Sequence, residues 1–471
     1  MQLLIPILLL GVPQMQRYWK VDAPSAVLEH VDVIDGTGGP PQRDRNVSIE
    51  GGKIVRISAG ADEPAHAGTA VLDLRGRSVL PGIVGMHEHF FCMVRPHLQA
   101  DSTFEGPAMF QQMTYSAPRM YLAMGVTTLR TAGGVEPATD VKLGRAIEAG
   151  DLPGPHIDVT GPYLDGPGNA NLQIRALDGP EDARQTVAYW ADRGVTSFKA
   201  YAGISRAEMR AAVEEAHRRG LKVTGHLCSV TYPEAVQEGI DNLEHGFSAN
   251  TALDPGKQPD KCSESRGEYT LEHMPAGSAE ANRLIALLVE RHVAITSTLP
   301  GSGSRVLPKP LPPAALWAMS PSLRDSWLYS RNRAVDQASL DHETRMLRIE
   351  MDLERAFVAA GGLLIAGADP VGIGGVLPGF ADHREIELLV EAGFTPLQAI
   401  RIATLNGATY LGRQNEIGSV AVGKNADLLV VKGDPSVRID DIENVEIVFK
   451  DGAGYDPAKL LESVTGHYCQ Y

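Results

Sequence analysis

Between roughly Pro81 and Gly412 short apolar runs alternate with amphipathic helical stretches, and this constrains the fold more than any other feature of the chain. A run too short to be a helix, then a helix, then another short run is the pattern of βα units laid on a parallel sheet. Eight runs qualify: GIVGMHEHF, GVTTLRTAGG, PHIDVTGPYL, VTSFKAY, KVTGHL, NLEHGF, VAITSTL and LLIAGADP. Eight is the number that a closed barrel needs. Of the stretches between them, PEDARQTVAYWADRG after Gly179 reads as one helix. SRAEMRAAVEEAHRRG reads as another, opening on the capping box Ser205 to Glu208 and stopping at Gly220, as a helix C-terminus should.

The two ends of the chain have another texture. AVLEHVDVIDGTG, NVSIEGGKIVRISAG and AVLDLRGRSVLPG near the start, and ADLLVVKGDP and VEIVFKDGAG near the end, read as short strands punctuated by Gly, Asp and Pro. They can pair into one small β domain built from both termini. Residues 2–11, QLLIPILLLG, are too short to span a bilayer but have the length of a secretory h-region. No Lys or Arg precedes them, so residues 1–24 stand as an apolar signal or appendage, and localisation stays open between cytoplasm and export. Two stretches break the alternation, about 246–277 and about 301–339. Both follow strands, on the face where barrel active sites lie, and read as loops that cover a substrate.

With 58 acidic and 43 basic residues the formal charge is −15, which opposes binding to nucleic acid or to an anionic membrane. The four cysteines, Cys92, Cys228, Cys262 and Cys469, include no CxxC pair, so isolated thiols are expected rather than a zinc ribbon or a disulfide framework.

Chemistry concentrates at the ends of the runs. Alternate strand residues share a face, so His87 and His89 point together while Glu88 points away. Two imidazoles are half a metal site, and further runs end on Lys199, His226, His245 and Asp369. Each would be costly to bury unpaired, and a shared metal offsets that cost for all of them. Polar residues at the C-terminal ends of barrel strands read as catalytic.

These residues, with FTPLQAIRIATLNGATYLG and IGSVAVGKNADLLVV near the end, resemble the metal-dependent amidohydrolase superfamily, within it the imidazolonepropionase-like and prolidase-like branch. The resemblance implies an α/β fold: a distorted (β/α)8 TIM barrel over 81–412, with a small β-sandwich domain formed by 25–80 and 413–471. It implies two divalent metal ions, zinc above all, one held by His87, His89 and Asp369 and the other by His226 and His245. Lys199 matches the lysine that CO2 converts to N6-carboxylysine, whose two anionic oxygens bridge both ions. The deaminase and imidazolonepropionase branches usually lack it, so Lys199 favours a two-metal hydrolase of amide or peptide bonds.

In that mechanism metals lower the pKa of water from 15.7 to about 7. A bridging hydroxide attacks the carbonyl, and Asp369 shuttles its proton to the leaving nitrogen. The expected substrate is a small molecule with a carboxylate, dipeptide-like or an N-acyl amino acid. A cyclic amide, imide or lactone is the alternative, and a non-catalytic barrel module is a distant third. Tyr201 shares the face of Lys199 and is a candidate oxyanion donor. Arg130 is a candidate for the substrate carboxylate or for an internal ion pair, and His273, in the first long loop, is a candidate substrate contact. A homo-oligomer is expected.

Overall fold

The computed structural model describes residues 15–60, 66–94, 109–169, 171–332, 335–372 and 375–470. All eight expected runs form parallel strands, but the third is broken. The strands are β1 Ile83–Glu88, β2 Val126–Thr131, β3 His156–Asp158, β4 Thr160–Leu164, β5 Ser197–Ala200, β6 Lys222–Gly225, β7 Asn242–Glu244, β8 Ala294–Ser297 and β9 Leu364–Ala366. Val159 interrupts the run PHIDVTGPYL, so β3 pairs with β2 while β4 pairs with β5. The parallel ladder is therefore two arcs, β3-β2-β1 and β4 through β9 in order, rather than one ring. An isolated Gly134 to Pro162 bridge spans one seam. At the other, the Asp369 N–H donates to the His87 carbonyl at 2.9 Å.

Helices between the strands form where capping and amphipathicity coincide. Arg206–Arg218 starts on the expected box, with Ser205 accepting from the Glu208 amide and Glu208 from the Ser205 amide. It ends with Gly220 at φ 71°, a left-handed conformation that glycine adopts without steric cost. The buried faces of these helices and the strands share one large apolar core.

Both chain ends meet in a nine-stranded sheet with its own apolar core. The joint is antiparallel pairing of Arg77–Pro81 with Leu428–Lys432, Pro81 opposite Leu428. All nine strands are linked by hydrogen bonds into this one sheet. Part of the segment expected to stand apart is woven into it: Trp19–Val21 pairs with Ala453–Tyr455. The apolar run 2–11 lies outside the described residues.

The cysteine expectation is overturned. Cys92 is bonded to Cys469 and Cys228 to Cys262, with Cα separations of 5.4 and 4.8 Å, and no thiol is left free. Partners 377 and 34 residues apart carry no spacing signal, and only folding brings them together. Both bonds sit at the C-terminal ends of the parallel strands. Cys92 follows His89 by three residues, and Cys228 follows His226 by two and anchors the 246–277 segment. The second covering segment is helical rather than irregular, running through Leu299–Val306, Pro313–Ala318 and Pro321–Asn332 into Gln337–Ala359.

Candidate active site

The ends of β1, β5, β6, β7 and β9 bring six predicted residues together. His89 Nε2 lies 3.0 Å and His87 Nε2 3.5 Å from Asp369 Oδ1, and the ligand atoms of these three residues fall within 4.8 Å of one another. Lys199 Nζ is 3.3 Å from His87 Nε2. The His245 ring centroid is 4.6 Å from that of His87 and 4.4 Å from that of His226. The backbone turns sharply where two of them stand: His245 has φ 62° and Asp369 φ 51°. Left-handed conformations cost a non-glycine residue about 1–3 kcal/mol and gather at functional sites. Glu88 does point away, into a buried space beside Asp382, where its Oε1 accepts from the Ala368 amide at 3.1 Å. Burial, then the Asp382 carboxyl, pushes its pKa well up, so it packs as a neutral acid behind the strand that carries the histidines.

Burial lowers the pKa of His89 to about 4 and of His226 to about 3, and holds His245 well below its ordinary value. These imidazoles are neutral at pH 7 and keep a lone pair for a cation. Burial alone would raise Asp369, but His87 and His89 beside it hold the carboxyl well below the usual range. Burial lowers the Lys199 amine to about 8, against the pull of Glu244 and Asp369. Two buried imidazole nitrogens, His89 Nδ1 and His245 Nε2, have no hydrogen-bond partner. Neutral imidazoles, one carboxylate and a deprotonatable lysine form a donor set that fits borderline divalent cations such as zinc.

Glu244 belongs to this site and was missed in the sequence. It is fully buried; its Oε2 meets His87 Nδ1 at 2.8 Å, its Oε1 accepts from Arg130 Nη2 at 2.7 Å, and the Thr224 hydroxyl also donates to it. The contact places a proton on His87 Nδ1 and leaves Nε2 free toward Lys199 and Asp369, as the partner of a ligating histidine does. A glutamate inside the apolar run NLEHG was the available signal.

Arg130 is the other half of that pair, the internal ion pair that was one of the two roles its sequence position left open, rather than a contact with substrate. Its guanidinium is fully buried, donating to the Met86 carbonyl from Nε at 2.9 Å as well as to Glu244. His273 is also placed elsewhere. It caps the C-terminal end of Glu268–Glu272, exposed, with its ring stacked 3.8 Å from that of Tyr269. Tyr201 lies beside the cluster, its ring 5.1 Å from His226 and 4.8 Å from Tyr163, and burial raises its pKa to about 12, so it keeps its proton.

Asp369 faces a cavity of about 1130 Å³ whose wall includes the Pro-rich stretch from Leu307 to Pro312 and Trp327. Four cationic side chains line it. Arg305 pairs with Glu343, Lys309 with Glu387 and Arg384 with Glu391, whereas Arg331 lies over the Trp327 ring with no carboxylate partner among the described residues.

A model of the Amidohydrolase family matches residues 78–454, which include all six clustered side chains. The chain belongs to the amidohydrolase family. This family is metal-dependent and hydrolyses carbon–nitrogen bonds, which agrees with the donor set at the strand ends. Among solved structures, the amidohydrolase chain is 26% identical to a protein of Bifidobacterium longum assigned as a prolidase, with TM-score 0.65, over 94% of this chain and 99% of that one. It shares its fold with a Xaa-Pro dipeptidase holding methionine in its active site, at 21% identity and TM-score 0.67 over 92% and 100% of the two chains. It also shares it with the ochratoxinase of A. niger, at 18% identity and TM-score 0.65 over 95% and 100%.

Curated relatives match only in short segments. The imidazolonepropionase of Parabacteroides distasonis is 42% identical over 65 residues, 13% of this chain and 15% of that protein. The adenine deaminase of Roseobacter denitrificans is 34% identical over 71 residues, 15% of this chain and 12% of that one. The chain thus spans less than a sixth of either. Among the described residues no helix is long and apolar enough to cross a membrane.

Proposed function

We propose that this amidohydrolase cleaves an amide or peptide bond in a small linear substrate, dipeptide-like or an N-acyl amino acid. The observation that carries this reading is the gathering of His87, His89, Lys199, His226, His245 and Asp369 beside a cavity large enough for such a molecule. His87, His89 and Asp369 would hold one divalent ion, His226 and His245 a second, with Lys199 carboxylated between them and zinc the expected metal. When bound, such ions acidify water and polarise a carbonyl. An amine lowered to about 8 supports carboxylation, because CO2 reacts with the neutral form. The same reading closes the two arcs into a distorted barrel over 81–412, with a composite β-sandwich domain from 25–80 and 413–471.

The chain's own groups then divide the remaining tasks. Asp369, ionised at neutral pH, takes a proton and returns it to the leaving nitrogen, the step that a poor amide leaving group needs most. Tyr201, protonated, donates to the oxygen that gains charge. With Arg130 engaged inside the scaffold, the cation facing a substrate carboxylate is Arg331. The prolidase assignment of the Bifidobacterium longum relative supports a linear, carboxylate-bearing substrate.

The test is a substrate panel of zinc-loaded protein with dipeptides, acyl amino acids, hydantoins and lactones. Turnover of linear amides with a free carboxylate is expected, falling at least about tenfold in kcat/KM for the matching carboxamides. Turnover of ring substrates alone would replace this reading with a cyclic-amide or lactone hydrolase.

A further inference from the structure

A second cluster of histidine and aspartate lies at the opposite ends of the parallel strands. His156, the first residue of β3, meets Asp427 and Asp451 of the terminal sheet, and the ligand atoms of all three fall within 4.8 Å of one another. Each residue is oriented by a hydrogen bond through its other atom. His156 Nδ1 meets Glu148 Oε1 at 2.7 Å, Asp427 Oδ1 accepts from the Asp451 amide at 2.8 Å, and Asp451 Oδ2 accepts from Lys450 Nζ at 2.7 Å.

Three atoms remain, all within 4.8 Å of one another. His156 Nε2 is 3.3 Å from Asp451 Oδ1 and 3.8 Å from Asp427 Oδ2. His156 and Asp427 are more than nine-tenths buried, and neither Nε2 nor Oδ2 has a hydrogen-bond partner. Tetrahedral bonds of about 2.0–2.1 Å put ligand atoms about 3.3–3.4 Å apart. The separations at the predicted catalytic cluster, 3.0 and 3.5 Å, bracket the same value.

Charge points the same way. Among the described residues Lys450 is the only lysine or arginine beside Glu148, Asp427 and Asp451, so with all three carboxyls ionised, against the burial that raises Asp427, two negative charges remain around the imidazole. A proton on His156 offsets one of them; a divalent ion with neutral His156 offsets both. The Glu148 contact that fixes the Nδ1 proton is the contact a ligating histidine makes. Asp451 is half exposed, which opens a path for the ion and a position for water.

We propose that His156 Nε2, Asp427 Oδ2 and Asp451 Oδ1 form a structural site for a divalent cation of the zinc class, separate from the catalytic cluster, fastening β3 to the terminal sheet. The competing occupant is a proton. Burial alone would lower His156, yet Asp451 and Glu148 raise it to about 9, so an ion must displace that proton to bind.

The test counts metal. Protein saturated with zinc chloride and freed of excess by gel filtration is analysed for zinc per chain, beside Asp451→Asn, an exposed position that should fold normally, and His156→Gln. Each variant is expected to hold one zinc fewer than the parent and to lose a zinc-dependent rise in Tm. Hydrolytic activity should stay within about twofold. The difference of one does not depend on how many ions the catalytic cluster holds, so failure of the function proposed above would leave it standing. Equal zinc content in parent and both variants would overturn the site and leave a proton-bound ion pair.

Discussion

A histidine–carboxylate cluster stands at each end of the set of parallel strands, and what surrounds each sets its chemistry. At the C-terminal end His89, buried, and His226, half-buried, stand near Lys199, and their pKa values fall to about 4 and about 3. At the N-terminal end His156 is buried as well, but carboxylates outnumber cations around it and its pKa rises to about 9. Burial takes every imidazole toward neutrality, and local charge decides whether that tendency wins. Fastening differs too. Both disulfides brace the C-terminal end, whereas His156 and its partners link the strands to the terminal sheet at the other. Barrel proteins commonly place catalysis at the first end and stability at the second.

The largest test of this division is Lys199→Ala. It should lower kcat/KM by about 10³-fold or more, equivalent to about 4 kcal/mol, with loss of bound metal and partial rescue by short carboxylic acids. A variant that kept full activity and metal would remove Lys199 from the centre. Glu244→Gln comes next. It strands Arg130 as an unpaired buried cation, expected to cost about 3–5 kcal/mol of stability, and frees His87, expected to weaken metal binding about 10–100-fold. Chemical denaturation and zinc titration measure the two separately, and unchanged zinc affinity would reduce Glu244 to a scaffold residue.

Removing the second disulfide by Cys228→Ser with Cys262→Ser releases a 34-residue separation, worth about 4 kcal/mol by chain entropy. Peptide mapping without reductant should recover both linked pairs, the state that an oxidising compartment supports. Recovery of free thiols would restore the expectation of isolated cysteines.

The smallest effect is the most diagnostic. In chelated protein His89 and His226 titrate below an unfolded value of about 6.5, so stability falls as pH drops from about 6.5 toward 4. His156, faced by Glu148, Asp427, Asp451 and Lys450, titrates above it. Its contribution, about 3 kcal/mol at most, is full below pH 6.5 and fades as pH rises through 9. His156→Gln should therefore flatten only the alkaline limb of stability against pH. If both limbs persist in that variant, the contrast between the ends fails.

Much of this was legible before folding. Apolar runs of strand length, separated by capped amphipathic helices, set the parallel strands, because period and capping are local properties. The six clustered residues showed themselves as polar groups at the ends of such runs. Arg130 and Glu244 showed the limit of that reading. Each sits in an apolar run, in TTLRT and NLEHG, but that they neutralise one another 114 residues apart is a fact of packing. His273 is exposed for the same reason: helix Glu268–Glu272 carries it away from the cluster.

By itself, then, the sequence determined the strand and helix pattern, the polar residues at the strand ends and the family. Only the tertiary structure decided which polar groups meet: Glu244 with His87, Cys92 with Cys469, His156 with Asp427 and Asp451. Period and propensity act over a few residues, whereas the pairing of buried charges and thiols depends on where distant segments cross, and on the high cost of leaving such groups alone in a low dielectric.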